Sequence, residues 1–181
     1  MNSKYFILLY RLDQIDRYLI WYTHDIDRLL VDKNGYVPSF ANLSSLDNYA
    51  KKNLITLEAE APLLHNLDQV KKWVDNPKKS NINCQDFLAA WNLFTDLAVS
   101  VEDITFDCQS QLTNNIYDKL FWGNNLPAVT PGGKHYQPIW TDEELEILHK
   151  ILNDGLLLFH SRVAHRPDNG GQSIALLVDM S

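Results

Sequence analysis

Apolar residues fall along the chain in two different rhythms. Near the start they come in short runs rich in aromatic and β-branched residues: Tyr5 to Tyr10, Tyr18 to Tyr22, and Arg28-Leu29-Leu30-Val31. Runs of this length and composition predict strands, the first of them central. Asp13 to Asp16 predicts a turn between the first two. Asp32-Lys33-Asn34-Gly35 predicts a hairpin, because Asn-Gly accepts a tight turn, and Tyr36 to Phe40 returns as an edge strand on which Pro38 removes one donor. A short helix then follows, capped by Ser44 or Ser45, with Leu46, Tyr49 and Ala50 on one face and Asn53 as its stop. The alternation Leu54-Ile55-Thr56-Leu57-Glu58 predicts another strand, and Leu67 to Val74 a second short helix with Asp68 near its start.

After the break Asn76-Pro77-Lys78-Lys79-Ser80 the rhythm becomes helical. Phe87, Leu88, Trp91, Phe94, Leu97, Ala98 and Val101 form a broad stripe at i, i+3, i+4 and i+7 spacing, predicting a helix over 86–101. A helix over 112–122 ends at Gly123, and a Pro- and Gly-rich loop spans 124–138. The last helix opens on Thr141-Asp142-Glu143-Glu144, in which Thr and Glu satisfy each other's orphan amides, and runs to about Val163. Gly155 inside it costs about 1 kcal/mol relative to alanine, which points to a close packing contact. The expected fold is α+β: a β-rich part over 1–76 built on a small antiparallel sheet with short helices, a mainly helical part of the same domain over 83–163, and a tail over 164–181.

At 181 residues and 45% apolar content, such a chain buries a core without disulfide or metal. No uninterrupted apolar stretch suits a transmembrane helix, and Arg11 and Asp13 end the first apolar run too early for a signal peptide. With two cysteines, Cys84 and Cys108, read as free thiols, the expectation is a cytoplasmic protein. Chemistry is sparse. There is no phosphate-cradling glycine loop, no nucleophile elbow and no His-Glu-x-x-His helix. His149 reads as a surface residue, His24-Asp25 beside Asp27 as a polar turn, and Cys84 as a half-buried thiol near a helix start. Carboxylate pairs such as Glu58 with Glu60 read as a solvated acidic face. No catalytic residue, cofactor or metal ligand is expected.

Charge is more informative. The net charge is −7, which disfavours a nucleic-acid backbone as partner. From Ser80 through Asp118 there is no Lys or Arg, while Asp86, Asp96, Glu102, Asp103, Asp107 and Asp118 all fall within that stretch. A second acidic group, Asp142, Glu143, Glu144 and Glu146, opens the last helix, where the helix dipole accounts for part of it. An acidic flank of this kind attracts a basic protein and speeds encounter. Trp122 and Tyr136, beside the loop, complete the candidate contact set, since aromatic residues next to charge are common at interface hot spots.

Several of these segments also carry a family likeness. They are Asp32-Lys33-Asn34-Gly35, Tyr49-Ala50-Lys51-Lys52-Asn53, Leu67-Asp68 before Trp73, Trp91-Asn92-Leu93-Phe94-Thr95-Asp96-Leu97-Ala98, Trp140-Thr141-Asp142-Glu143-Glu144-Leu145 and Gly155-Leu156. Over residues 4 to about 163 the chain resembles small bacterial immunity proteins encoded beside polymorphic toxins, including those of contact-dependent growth inhibition. The resemblance implies a non-enzymatic inhibitor without cofactor. Its partner would be a cognate, basic toxin C-terminal domain, a nuclease, for instance of the EndoU RNase type, blocked at its active site or from its substrate. An acidic regulatory domain with an unrelated partner is the alternative reading, and an enzyme with an unrecognised site a third.

Overall fold

A computed structural model describes residues 3–106, 110–130, 132 and 134–165. Strands β1 (Lys4–Leu12) and β2 (Ile15–Thr23) form a long antiparallel hairpin, with β3 (Asp27–Leu29) beside β2 and β5 (Leu64–Asn66) beside β1. The sheet order is therefore β3-β2-β1-β5. Its first three strands are antiparallel, as expected, and β5 adds a parallel edge that the pattern did not announce. A second, two-stranded parallel sheet joins β4 (Val37–Ser39) to β6 (Val163–His165). Between β4 and the first sheet, Tyr18 and Phe40 exchange backbone hydrogen bonds of 2.9 Å.

The near-continuous apolar character of β1 and β2 has a direct cause: both faces of the sheet are covered. Leu8, Tyr10 and Leu19 point to a large core shared with α2 (Leu67–Asp75), α3 (Cys84–Ser100), α4 (Gln111–Gly123) and α5 (Asp142–Arg162). Tyr5, Ile7, Tyr18 and Ile20 point the other way, to a smaller cluster with Phe40, Leu46 and Ala50 under α1 (Leu43–Lys52).

The β1–β2 turn has only two residues at its tip. Asp13 and Gln14 both take left-handed backbone angles, φ 53° and 62°, the geometry that matches strand twist but usually recruits Asn and Gly. Asp68, near the start of α2, offsets that cost: its two carboxylate oxygens accept the Asp13 and Gln14 amides at 2.7 and 2.8 Å. Lys71 pairs with Asp13 at 2.6 Å, so the turn is pinned to α2 from both sides.

Three local expectations are corrected. The cap of α1 is Asn42, whose Oδ1 accepts the Ser45 amide at 2.9 Å; Ser45 sits in the first turn as the residue being capped. Residues 54–58 form no strand. Leu54 has φ +57° and is 94% exposed, so it ends α1 rather than opening a ladder, while Ile55 and Leu57 bury under α1 and only Leu57 bridges to Tyr5. His149 is not a free surface residue: its Nε2 lies 2.9 Å from the Val74 carbonyl oxygen and its ring sits by Trp73, so it joins α5 to α2.

Helix α3 is the post around which the helical layer stands. Its stripe is buried as expected, with Phe94 fully so. The Phe94 ring lies against the backbone of α5 at Gly155. A Cβ there would stand 2.0 Å from Phe94 Cδ2 and 2.4 Å from Cγ, so the buried ring would have to shift to admit one. Phe159, one turn on, meets Phe94 and Tyr10 edge-on at 6.3 and 5.0 Å, joining both helices to the sheet. Gly155→Ala should therefore destabilise the protein by about 2 kcal/mol in urea unfolding, the overpacking cost exceeding the helix-propensity gain. A stability increase would contradict this packing.

Candidate functional site

The C-terminal half of α3 is stitched to the sheet by polar bonds as well as packing. The Leu29 amide donates to Ser100 Oγ at 2.7 Å, and the Trp21 indole Nε1 donates to Asp96 Oδ2 at 2.9 Å. Beside these bonds a groove of about 740 Å³ lies between helix and sheet. Phe6, Leu8 and Trp21 line it from the sheet, Phe6 packed on the indole at 5.3 Å. Asn92, Thr95 and Asp96 line it from α3, and Tyr117 reaches in from α4 with its hydroxyl on Asn92 Oδ1 at 3.0 Å. Glu60 to Leu63 and His65 line the remaining side, and Asp27 completes it from β3.

Three carboxylates, Asp27, Glu60 and Asp96, thus share a groove whose lining contains no Lys or Arg. Burial raises the Asp96 carboxyl to about 6, the Trp21 bond opposing and the Asp27 charge reinforcing the rise. His65 shifts the opposite way for the same reason: burial lowers its pKa, so at neutral pH it brings no positive charge to the groove. Among the described residues, no three His, Cys, Asp or Glu side chains are grouped so as to hold a metal ion.

The other sequence-predicted residues are distributed more widely. Asp86 lies in the first turn of α3, ten residues and about 15 Å of helix rise from Asp96. There it accepts a 2.8 Å bond from Asn83, and burial raises its pKa. Glu102, with φ +55°, and Asp103 form the turn after α3. Asp103 Oδ1 accepts from the hydroxyl and amide of Thr105 at 2.6 and 2.8 Å, which holds its pKa low. Asp118 is exposed on α4, and Asp107 lies outside the described residues. Among the described residues, none of Asp86, Asp96, Glu102, Asp103 or Asp118 forms an ion pair within 4 Å of a Lys or Arg. Trp122 and Tyr136 are 48% and 42% exposed. They flank a loop base held by Asn125, which bonds the Tyr136 amide and carbonyl at 2.7 and 3.0 Å.

The second acidic group is partly structural. Asp142 pairs with Lys79 at 2.8 Å, and the buried Glu144 with Lys119 at 2.6 Å while closing the Thr141 cap at 2.9 Å. Burial pushes Glu144 upward, but Lys119 and the Thr141 amide outweigh it and its pKa is lowered. Cys84 is half-buried, which raises its thiol pKa, and its sulfur packs where a side chain on Gly123 would stand.

Asp27, Glu60, Trp21 and Tyr117 were not singled out as a site by sequence. Glu60 stood in an acidic run and Asp27 in a polar turn, and nothing in the linear order joins them to Asp96. No protein-family model matches the chain, and no curated protein matches it. The molecule belongs by architecture to mixed α/β proteins with a helical layer on one main sheet. Among solved structures, the fold is similar to that of the SatS C-terminal domain, crystallised in complex with bromine. The TM-score is 0.51 at 11% identity, covering 90% of this chain and 94% of that one. At that identity the likeness concerns the fold alone.

Asp96 supplies a test of the site's energetics. A carboxyl raised to about 6 in the fold, against about 4 unfolded, favours the folded state below pH 4; that contribution is lost as pH rises through 6. Its partial exposure limits that contribution to roughly 2 kcal/mol. Asp96→Asn keeps an acceptor for Trp21 and removes the charge. It should raise stability by about 2 kcal/mol at pH 7.5 and by little at pH 4, measured by urea unfolding. Equal effects at both pH values would contradict the assignment.

Proposed function

We propose that this protein is an immunity protein that binds a basic toxin domain and neutralises it by covering its active site or its access to substrate. The observation that carries the reading is the set of carboxylates on and around α3 that form no ion pair with Lys or Arg among the described residues, together with a groove in which three acids meet aromatic rings and no Lys or Arg. A fold that pairs Glu144 with Lys119 and Asp13 with Lys71 is able to compensate its acids; along α3 it does not. Uncompensated negative charge costs stability through self-repulsion and raises the encounter rate with a positively charged protein. The sequence resemblance to immunity proteins of polymorphic toxins supports the same reading, and nuclease toxins, which need cationic clefts for their substrates, offer the complementary surface. Inhibition requires only occupancy, so the protein acts without chemistry of its own.

The test is co-expression with the toxin domain encoded by the adjacent gene. A one-to-one complex should survive size-exclusion chromatography, and raising salt from about 0.05 to 0.5 M should slow association by about tenfold while changing dissociation much less. Absence of a complex at micromolar concentration would end the proposal and favour an acidic regulatory domain with another partner.

A further inference from the structure

We propose that the groove between the sheet and α3 seats an arginine side chain of the partner protein, its guanidinium against the Trp21 indole and within reach of Asp96 and Asp27. This inference rests on the reading of the protein as a binder of a basic protein, and it names what enters the groove.

The lining selects the occupant. Three carboxylates and no Lys or Arg make the groove a site for positive charge, and Phe6, Trp21 and Tyr117 make it a site for a flat or apolar one. A hydrated metal ion would gain nothing from the rings, and the acids are not grouped as ligands among the described residues. A lysine ammonium would satisfy the charge, but it is compact and strongly hydrated. A guanidinium is planar, less tightly hydrated, able to stack on an aromatic face and to bond a carboxylate through two N–H groups.

The geometry around Asp96 favours this grip. Its Oδ2 is committed to the Trp21 indole N–H, which fixes the carboxylate beside the ring, and among the described residues no donor bonds Oδ1. Phe6 fixes the indole from the sheet side. Asp27 lies close enough for its charge to be felt at Asp96. The groove is larger than one side chain, so the arginine would arrive on a loop of the partner. Leu63, 82% exposed at the rim, offers apolar cover for the aliphatic stem.

N-acetyl-arginine amide tests the seat without a toxin. In a ¹⁵N-labelled sample the Trp21 indole signal, identified by its loss in Trp21→Phe, should move saturably with the arginine amide. Affinity should be at least about fivefold weaker for the lysine amide, absent for the neutral citrulline amide, and reduced at least about tenfold in Asp96→Asn, a variant that keeps the Trp21 bond and so its fold. An unmoved Trp21 signal, equal binding of citrulline, or unchanged affinity in Asp96→Asn would overturn the inference. If the toxin complex forms and the arginine amide leaves Trp21 untouched, the seat falls and the neutralising role stands. If the amide binds and no toxin complex forms, the seat stands and the neutralising role falls.

Discussion

The close approach of Phe94 to Gly155 is the constraint on which the rest of the molecule depends. By letting a phenyl ring lie on bare helix backbone, it fixes how α3 and α5 cross and how near they come. Phe159 passes that constraint to Tyr10, and thereby to β1. With α3 placed, Ser100 meets the β3 backbone and Asp96 meets Trp21. The groove is the space these contacts leave. A looser crossing would swing the C-terminal end of α3 away from the sheet and dissolve the juxtaposition of Asp96, Asp27 and Glu60.

Two acids of the helical layer, Glu144 and Asp96, are handled in opposite ways. Glu144 is matched: Lys119 lies on it and it closes a helix cap, so its charge supports the fold. Asp96 is unmatched: it holds one indole N–H, faces another acid across the groove, and has its carboxyl raised to about 6. A charge that works against stability and is nonetheless placed in a cleft is what the proposed seat for a partner's cation calls for.

Much of the fold was legible in the linear pattern, because burial imposes periodicity. The hairpin of β1 and β2, the stripe on α3, the Thr141–Glu144 cap and the tight packing at Gly155 each follow from residues close together in sequence. What escaped depended on distant partners. The short β5 is a strand only because β1 lies beside it, and the stretch at 54–58 makes only a single bridge to β1 while Ile55 and Leu57 pack into the cluster under α1. The candidate site was half visible. Absence of basic residues over 80–118 marked α3 as unusual, but that stretch spreads its acids from Asp86 to Asp118, and only Asp96 reaches the groove. Its companions come from β1, β2, β3, α4 and the segment before β5, as far away along the chain as Phe6. Charge asymmetry can point to a helix, whereas a cleft is made by tertiary contact and cannot be read from one strand of text.

The central claim is that Asp96 is kept charged at some cost in order to meet a cation. Titration of the Asp96 side-chain carboxyl carbon by NMR, in the free protein and in the proposed complex with a toxin domain, reads that directly. The account predicts a midpoint of about 6 when free, falling once a guanidinium is seated beside it. A free midpoint in the ordinary aspartate range, or one that the partner leaves unmoved, would contradict it.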